Sequence, residues 1–70
     1  MKDSPLLIEF ELEVDGRWIA EVKDLPGVLA YGQTREEALA RTQALALRVL
    51  ADRLENGERI PQLKGLFDAA

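Results

Sequence analysis

A chain of 70 residues with a net charge of -4 has room for one small domain, and it contains no cysteine and no histidine. Its composition, 47% hydrophobic and 31% charged, is that of a folded globular protein, while the missing residue types exclude disulfides, thiol or imidazole catalysis and the usual zinc sites. The acidic balance argues against a nucleic-acid surface and favours a basic protein partner, although a modest negative charge also serves solubility. No segment has the ~20 apolar residues of a membrane span, and the N-terminal apolar run is too short for a signal sequence, so we expect a cytoplasmic protein.

The N-terminal part of the chain alternates between apolar and acidic residues, as a strand does when one face is buried. The strand is predicted from Leu6 to Val14, with the apolar residues Ile8, Phe10, Leu12 and Val14 facing the core and the acidic residues Glu9, Glu11 and Glu13 facing outward. The outward residues form a row of carboxylates along one side of a sheet.

A turn at Asp15-Gly16 and a second alternating strand up to Lys23 complete a predicted hairpin. A two-residue loop would place Trp18 on the glutamate side of the sheet. A loop of odd length that includes Arg17 instead pairs Trp18 with Val14 and keeps Trp18, Ala20 and Val22 with the core. We favour the odd loop, because a slip of one residue moves every side chain to the other face.

The segment DLPGVLAYGQTREEAL, residues 24–39, predicts a tight turn, a short strand and the start of a helix. Pro26 and Gly27 suit the turn, and a third strand from Val28 to Tyr31 ends at Gly32. Thr34 and Glu37 have the spacing of a capping box, in which the hydroxyl accepts from the Glu37 amide and the carboxylate reaches back. We therefore assign a structural role to five corner residues: Pro26, Gly27, Gly32, Thr34 and Glu37.

One long helix is predicted from Arg35 to Glu55, ending at the capping pair Asn56-Gly57. Its core-facing stripe contains Ala38, Leu39, Thr42, Leu45, Ala46, Val49 and Leu50. A second stripe, on the far side, contains Ala40, Ala44, Leu47 and Ala51. This second stripe is either a plain exposed face or a place where another helix approaches closely.

After the helix, residues 60–63 are predicted to form a short edge strand, where Pro61 is tolerated, and Leu66 and Phe67 an anchored tail.

Four carboxylates, Glu9, Glu11, Glu13 and Glu21, raise the possibility of a metal site like that of a Mg²⁺-dependent nuclease. The solvent side of an amphipathic strand gives the same pattern without any metal, and we favour that interpretation. Thr34 has no candidate base beside it that would make it a nucleophile. We therefore expect no catalytic residue, no metal and no cofactor.

The turn at residues 24–27, the corner at residues 32–34, the helix start at residues 36–38 and the late segment GERIP at residues 57–61 together resemble the HicB-like antitoxin family over residues 6–63. The resemblance implies an α+β fold, a partial RNase H-like β-β-β-α-β arrangement in which one long helix packs on an antiparallel three-stranded sheet, without the catalytic carboxylates of the nuclease. It also implies a non-catalytic protein that binds and masks a small basic HicA-like ribonuclease toxin.

Family members commonly continue into a DNA-binding domain, and since this chain ends at Ala70, direct DNA binding is not expected. The candidate partner-facing residues are Glu9, Glu11, Glu13 and Glu21, chosen on charge alone. The alternative function is a free-standing relative that binds RNA or a small ligand, or retains weak nuclease activity.

A homodimer is also expected, because so small a domain has a thin core. Two surfaces compete for the contact: an exposed sheet edge and the far-side helix stripe Ala40, Ala44, Leu47 and Ala51.

Overall fold

The computed structural model describes residues 6–63 and Phe67, and it forms an antiparallel three-stranded sheet followed by one long helix. The strands occur in the order β1-β2-β3 within the sheet. The elements are β1 (Ile8–Leu12), β2 (Trp18–Val22), β3 (Leu29–Gly32), α1 (Arg35–Glu55) and a 3-10 helix (Pro61–Leu63). The predicted α+β arrangement is confirmed, while its relation to the RNase H fold stays a prediction.

The first hairpin has the predicted face assignment but a register two residues away from the predicted one. Trp18 lies opposite Leu12 and not opposite Val14. The Glu13 amide donates to the Arg17 carbonyl at 2.7 Å and the Gly16 amide to the Glu13 carbonyl at 2.9 Å, so the loop consists of residues 14–16. Gly16 has φ 90°, which suits glycine at the last position of a three-residue hairpin loop. The predicted burial of Val14 is therefore wrong, because it lies fully exposed in the loop.

Asp15 stabilises this loop through two bonds to Arg17. One carboxylate oxygen accepts from the Arg17 amide at 3.1 Å, and the other accepts from its Nε at 2.8 Å. The hydrogen bond from the Arg17 amide is the main cause that favours the charged form of Asp15, and the Arg17 guanidinium adds to it. Together they hold the pKa of Asp15 below its ordinary value. The contribution of Asp15 to stability is therefore complete above the ordinary carboxyl pKa and is lost as the pH falls through the lowered one.

Helix α1 begins and ends at the predicted residues because both ends are capped locally. At the start, the Thr34 hydroxyl accepts from the Glu37 amide at 3.0 Å, and the Glu37 carboxylate reaches back to the Gln33 amide at 2.6 Å. At the end, Gly57 has φ 85°, and its amide and that of Glu58 donate to carbonyls of the last turn, at 3.0 and 2.9 Å. This pair of bonds is a Schellman cap, which needs a left-handed residue at the glycine position.

Replacing Thr34 with Ala is expected to lower the free energy of unfolding by about 1 kcal/mol, the usual cost of losing an N-cap hydroxyl. Thr34→Ser is the matched control, because it keeps the oxygen that accepts from Glu37. Urea unfolding of both variants measures the difference, and partner binding should be nearly unchanged. An equal loss in the two variants would show that the methyl group matters and the cap does not.

Helix α1 packs on one face of the sheet through the predicted core stripe. Ala38, Thr42, Ala46 and Leu50 are buried, and Leu39, Leu45 and Val49 are half-buried. The buried Thr42 hydroxyl donates to the Ala20 carbonyl at 3.0 Å, so the one polar member of the stripe has a partner on β2. The hydrophobic core cluster joins the buried residues Val22, Leu25, Val28, Ala46 and Leu50.

The segment after the helix differs from the prediction, because residues 61–63 form a 3-10 helix and not an edge strand. Pro61 at its first position has a backbone angle that suits a helical turn, and the missing amide is not needed there. The Leu63 amide donates to the Ile60 carbonyl at 3.1 Å, and both side chains pack against the core. The predicted anchoring of Phe67 is wrong, since it is 75% exposed, and Leu66 lies outside the described residues.

Candidate protein-interaction surface

One face of the sheet is packed by α1, and the opposite face carries an apolar centre with carboxylates around it. Ala20 and Val22 are buried toward the helix, so by strand alternation the neighbouring residues of β2 point to the other side. We call this side the open face. It consists of Glu9 and Glu11 on β1, Ile19 and Glu21 on β2, and Leu29 and Tyr31 on β3.

The apolar centre of the open face is a product of strand pairing. Ile19 lies directly opposite Tyr31, and Leu29 is two residues from Tyr31 on the same strand and therefore on the same side. Leu29 and Tyr31 are each 37% exposed. The guanidinium of Arg17 lies 4.4 Å from the centroid of the Tyr31 ring, which holds the aromatic side chain in a cation-π contact.

The carboxylates of the open face differ in how far they are neutralised. Glu9 lies directly opposite Glu21, an arrangement of like charges that destabilises a strand pair. The Lys23 amine offsets it, at 3.7 Å from Glu9 and 3.8 Å from Glu21. Within the described part of the chain, no side-chain nitrogen of Lys or Arg lies within 4 Å of the Glu11 carboxylate.

Glu13, the fourth predicted partner-facing residue, lies apart from the other three. It follows the end of β1, is half-buried, and is tied through its backbone to Arg17 at the mouth of the hairpin loop. The predicted group of four therefore becomes three carboxylates on the open face and one at its end.

In residues 6–63 and Phe67, no three acidic side chains are grouped closely enough to hold a metal ion. The sheet spreads the glutamates along β1 and β2, whereas a two-metal site needs carboxylates that converge from several elements. The absence of a catalytic site, a metal and a cofactor stays a prediction.

The corner residues position β3 against the start of α1. A side chain at Gly32 would meet the backbone of Ala38, with a Cβ only 2.9 Å from the Ala38 Cα.

At the preceding turn, the Val28 amide donates to the Leu25 carbonyl at 3.0 Å across Pro26 and Gly27. The turn directs Leu25 into the core, where it is 1% exposed. This role of Leu25 was not predicted from the sequence, although a large apolar residue inside a turn of otherwise polar and small residues is a signal for it.

The far-side stripe of α1 is exposed along its whole length. Ala40, Ala44 and Ala51 are exposed, Leu47 is 62% exposed, and Leu54, which the sequence pattern did not include, is 47% exposed. Beside Leu47, a groove of about 390 Å³ separates the helix from the start of β1. The groove is lined by Leu6, Ile8, Val22, Gln43, Ala46, Leu47 and Leu50.

Comparisons of the chain with protein-family models, with curated proteins and with solved structures found no match. The resemblance to HicB-like antitoxins therefore rests on the motif residues alone and stays a prediction. In the described part of the chain, no helix has the length and apolar character needed to cross a membrane.

Proposed function

We propose that the protein is a non-catalytic interaction module that binds and masks a small basic protein, as the antitoxin of a toxin-antitoxin pair with a HicA-like ribonuclease toxin. The observation that carries the proposal is the open face, which combines exposed apolar residues with carboxylates on one side of a sheet. Masking a toxin requires a complementary surface and no chemistry of its own. The cytoplasm is the proposed location, because such a toxin acts on cellular RNA.

The apolar centre of the open face has the composition of an interaction site. Binding energy in protein interfaces is concentrated in a few central residues, with tyrosine among the commonest, and polar residues form the rim. Tyr31, held by Arg17 and flanked by Ile19 and Leu29, suits that central position. A partner that covers these side chains removes apolar surface from water. Each Å² of apolar surface buried contributes about 25 cal/mol of favourable transfer free energy.

The carboxylates favour a basic partner over RNA. Glu11 has no described cation within 4 Å, and the chain as a whole carries a net charge of -4. Phosphates would be repelled by this face, whereas the Lys and Arg residues of a basic protein would be attracted to it. Complementary charge of this kind mainly accelerates association.

The proposal predicts that a gene beside this one encodes a small basic HicA-like protein. The test uses that protein as the ligand, with association followed by stopped-flow fluorescence at low and high salt. The wild-type protein should bind it, inhibit its ribonuclease activity and restore growth of cells that express it. Glu11→Lys should slow association about tenfold at low salt, because it reverses a charge that steers the encounter. Leu29→Ala should accelerate dissociation about tenfold, because it removes part of the apolar centre.

Glu58→Lys is the matched control for Glu11→Lys, since it makes the same charge change at an exposed residue that follows α1 and lies off the open face. It should leave the association rate within about twofold of wild type. Equal rates for wild type and Glu11→Lys at every salt concentration would contradict the proposed surface. Absence of binding to the neighbouring basic protein would contradict the antitoxin function itself.

A further inference from the structure

We propose that Arg17 and Arg41 are positioning residues that fix Tyr31 on the open face before a partner binds. Arg17 holds the ring and Arg41 holds the backbone of the same residue, and we call the two arginines the tyrosine clamp. Because Tyr31 is the centre of the proposed binding surface, this assignment rests on the proposed function. A side chain that is already ordered loses less conformational freedom when a partner covers it.

The ring of Tyr31 is held from the β2 side. Arg17 directly precedes β2 and lies diagonal to Tyr31 across the strand pair, a separation that long and aromatic side chains can bridge. Its guanidinium lies 4.4 Å from the centroid of the ring. The same guanidinium donates through Nε to Asp15 at 2.8 Å, so its own position is set within the hairpin loop. Asp15, Arg17 and Tyr31 therefore form one chain of contacts.

The backbone of Tyr31 is held from the other side, at the outer edge of β3. The Val22 amide donates to the Val28 carbonyl at 2.9 Å, and because backbone bonding alternates along an antiparallel strand, the Tyr31 carbonyl points away from β2. Arg41 of α1 donates to that carbonyl through Nη1 at 3.1 Å. Its Nη2 lies 3.3 Å from the Glu37 carboxylate, which also closes the capping box. The clamp thus ties Tyr31 to the start of the helix.

The clamp acts on binding through order and not through charge. Each arginine is paired with a carboxylate of its own chain, at 2.8 Å for Arg17 and 3.3 Å for Arg41. The two pairs add little net charge to the open face, and a basic partner gains no attraction from a cation. Both arginines contact Tyr31, so their contribution is to restrict its ring and backbone. Preorganisation of this kind mainly slows dissociation of a complex.

The first experiment tests the clamp without a partner, by NMR of wild type, Tyr31→Leu and Arg17→Lys. Tyr31 is the single tyrosine of the chain, so its ring signals are unambiguous. The ring should shift the Arg17 side-chain protons upfield in wild type, and this shift should vanish in Tyr31→Leu. The ring should be more mobile in Arg17→Lys, because lysine keeps the charge but lacks the planar group that stacks. Unshifted Arg17 protons in wild type, or an equally ordered ring in Arg17→Lys, would overturn the clamp.

The second experiment measures dissociation from the small basic partner by stopped-flow fluorescence. Arg17→Lys should dissociate about threefold faster than wild type at an unchanged association rate, because the charge is kept and the stacking is lost. Arg41→Lys should behave in the same way, since an ammonium cannot bond the Tyr31 carbonyl and the Glu37 carboxylate with the geometry of a planar fork. Arg48→Lys is the matched control and should dissociate at the wild-type rate, because Arg48 is exposed on α1 and lies off the open face.

A double-mutant cycle separates positioning from direct contact with the partner. In a Tyr31→Leu background, Arg17→Lys should cause no further change in dissociation, because the arginine acts only through the ring. An equal effect in both backgrounds would show that Arg17 contacts the partner itself, and no effect in either would show that the ring needs no clamp; both results overturn the proposal. If wild type binds no basic partner, the proposed function fails, and the NMR experiment alone decides whether the clamp exists.

Discussion

Gly32→Ala is expected to lower the free energy of unfolding by about 3 kcal/mol, the upper part of the usual range for overpacking. The added methyl group would lie 2.9 Å from both the Ala38 Cα and the Glu37 carbonyl carbon, and it would also contact the Ala38 amide nitrogen. All three atoms belong to the backbone at the start of α1, so no flexible side chain can move aside. The helix start would have to shift away from β3, and the Thr34 cap would shift with it.

Gly57→Ala is the matched control, because the same methyl group is added in open space. Nothing lies within 4 Å of a Cβ at Gly57, and the cost there comes only from its φ of 85°. That cost is about 1 kcal/mol. Urea unfolding of the two variants therefore separates close packing from backbone conformation. A Gly32→Ala protein no less stable than Gly57→Ala would mean that β3 and α1 separate easily and that the corner is not tightly packed.

The features predicted well from the sequence are those that depend on neighbours along the chain. The bounds of α1 follow from Thr34 at one end and Gly57 at the other, and each of these residues acts within a few positions of itself. The face assignment of the first hairpin follows from alternation in the same way. Its register does not, because the pairing of Trp18 with Leu12 depends on a loop conformation that the Asp15-Gly16 dipeptide alone does not fix.

Features that depend on contacts distant in sequence were missed or wrong. The 3-10 helix at Pro61–Leu63 replaces the predicted edge strand, because Ile60 and Leu63 pack against the core and not beside a strand. The structural role of Gly32 at the corner was predicted, but its close approach to the Ala38 backbone was not, because that contact exists only when α1 lies against β3.

Of the candidate surface, the carboxylates were predicted and the apolar centre was not, because only the carboxylates follow from neighbours along the chain. Alternation along β1 and β2 identified Glu9, Glu11 and Glu21 from local sequence. The apolar centre between them was not identified, because Ile19 and Tyr31 become neighbours only through the pairing of β2 with β3. The sequence therefore indicated the charge of the surface, and the sheet register supplies the side chains that would bind.

Leu25→Ala is expected to lower the free energy of unfolding by about 3 kcal/mol, within the usual range for truncating a buried leucine. Leu25 is 1% exposed and joins Val22, Val28, Ala46 and Leu50 in the hydrophobic core cluster. The cost combines the lost transfer free energy of the removed atoms with a cavity that the surrounding side chains fill only in part. The turn before β3 therefore has a second role besides reversing the chain, since it delivers a large side chain to the centre of the core.

Leu29→Ala is the matched control, because it makes the same truncation four residues later at a leucine that is 37% exposed on the open face. Its expected cost is below about 1 kcal/mol, since the side chain is partly in water already and leaves no closed cavity. For partner binding we expect the reverse order, because Leu29→Ala weakens binding and folded Leu25→Ala preserves it. Urea unfolding and partner dissociation, each measured on both proteins, would show that one variant loses stability and the other loses binding. If Leu25→Ala instead weakened binding while leaving stability unchanged, the turn would belong to the interface and its structural role would be wrong.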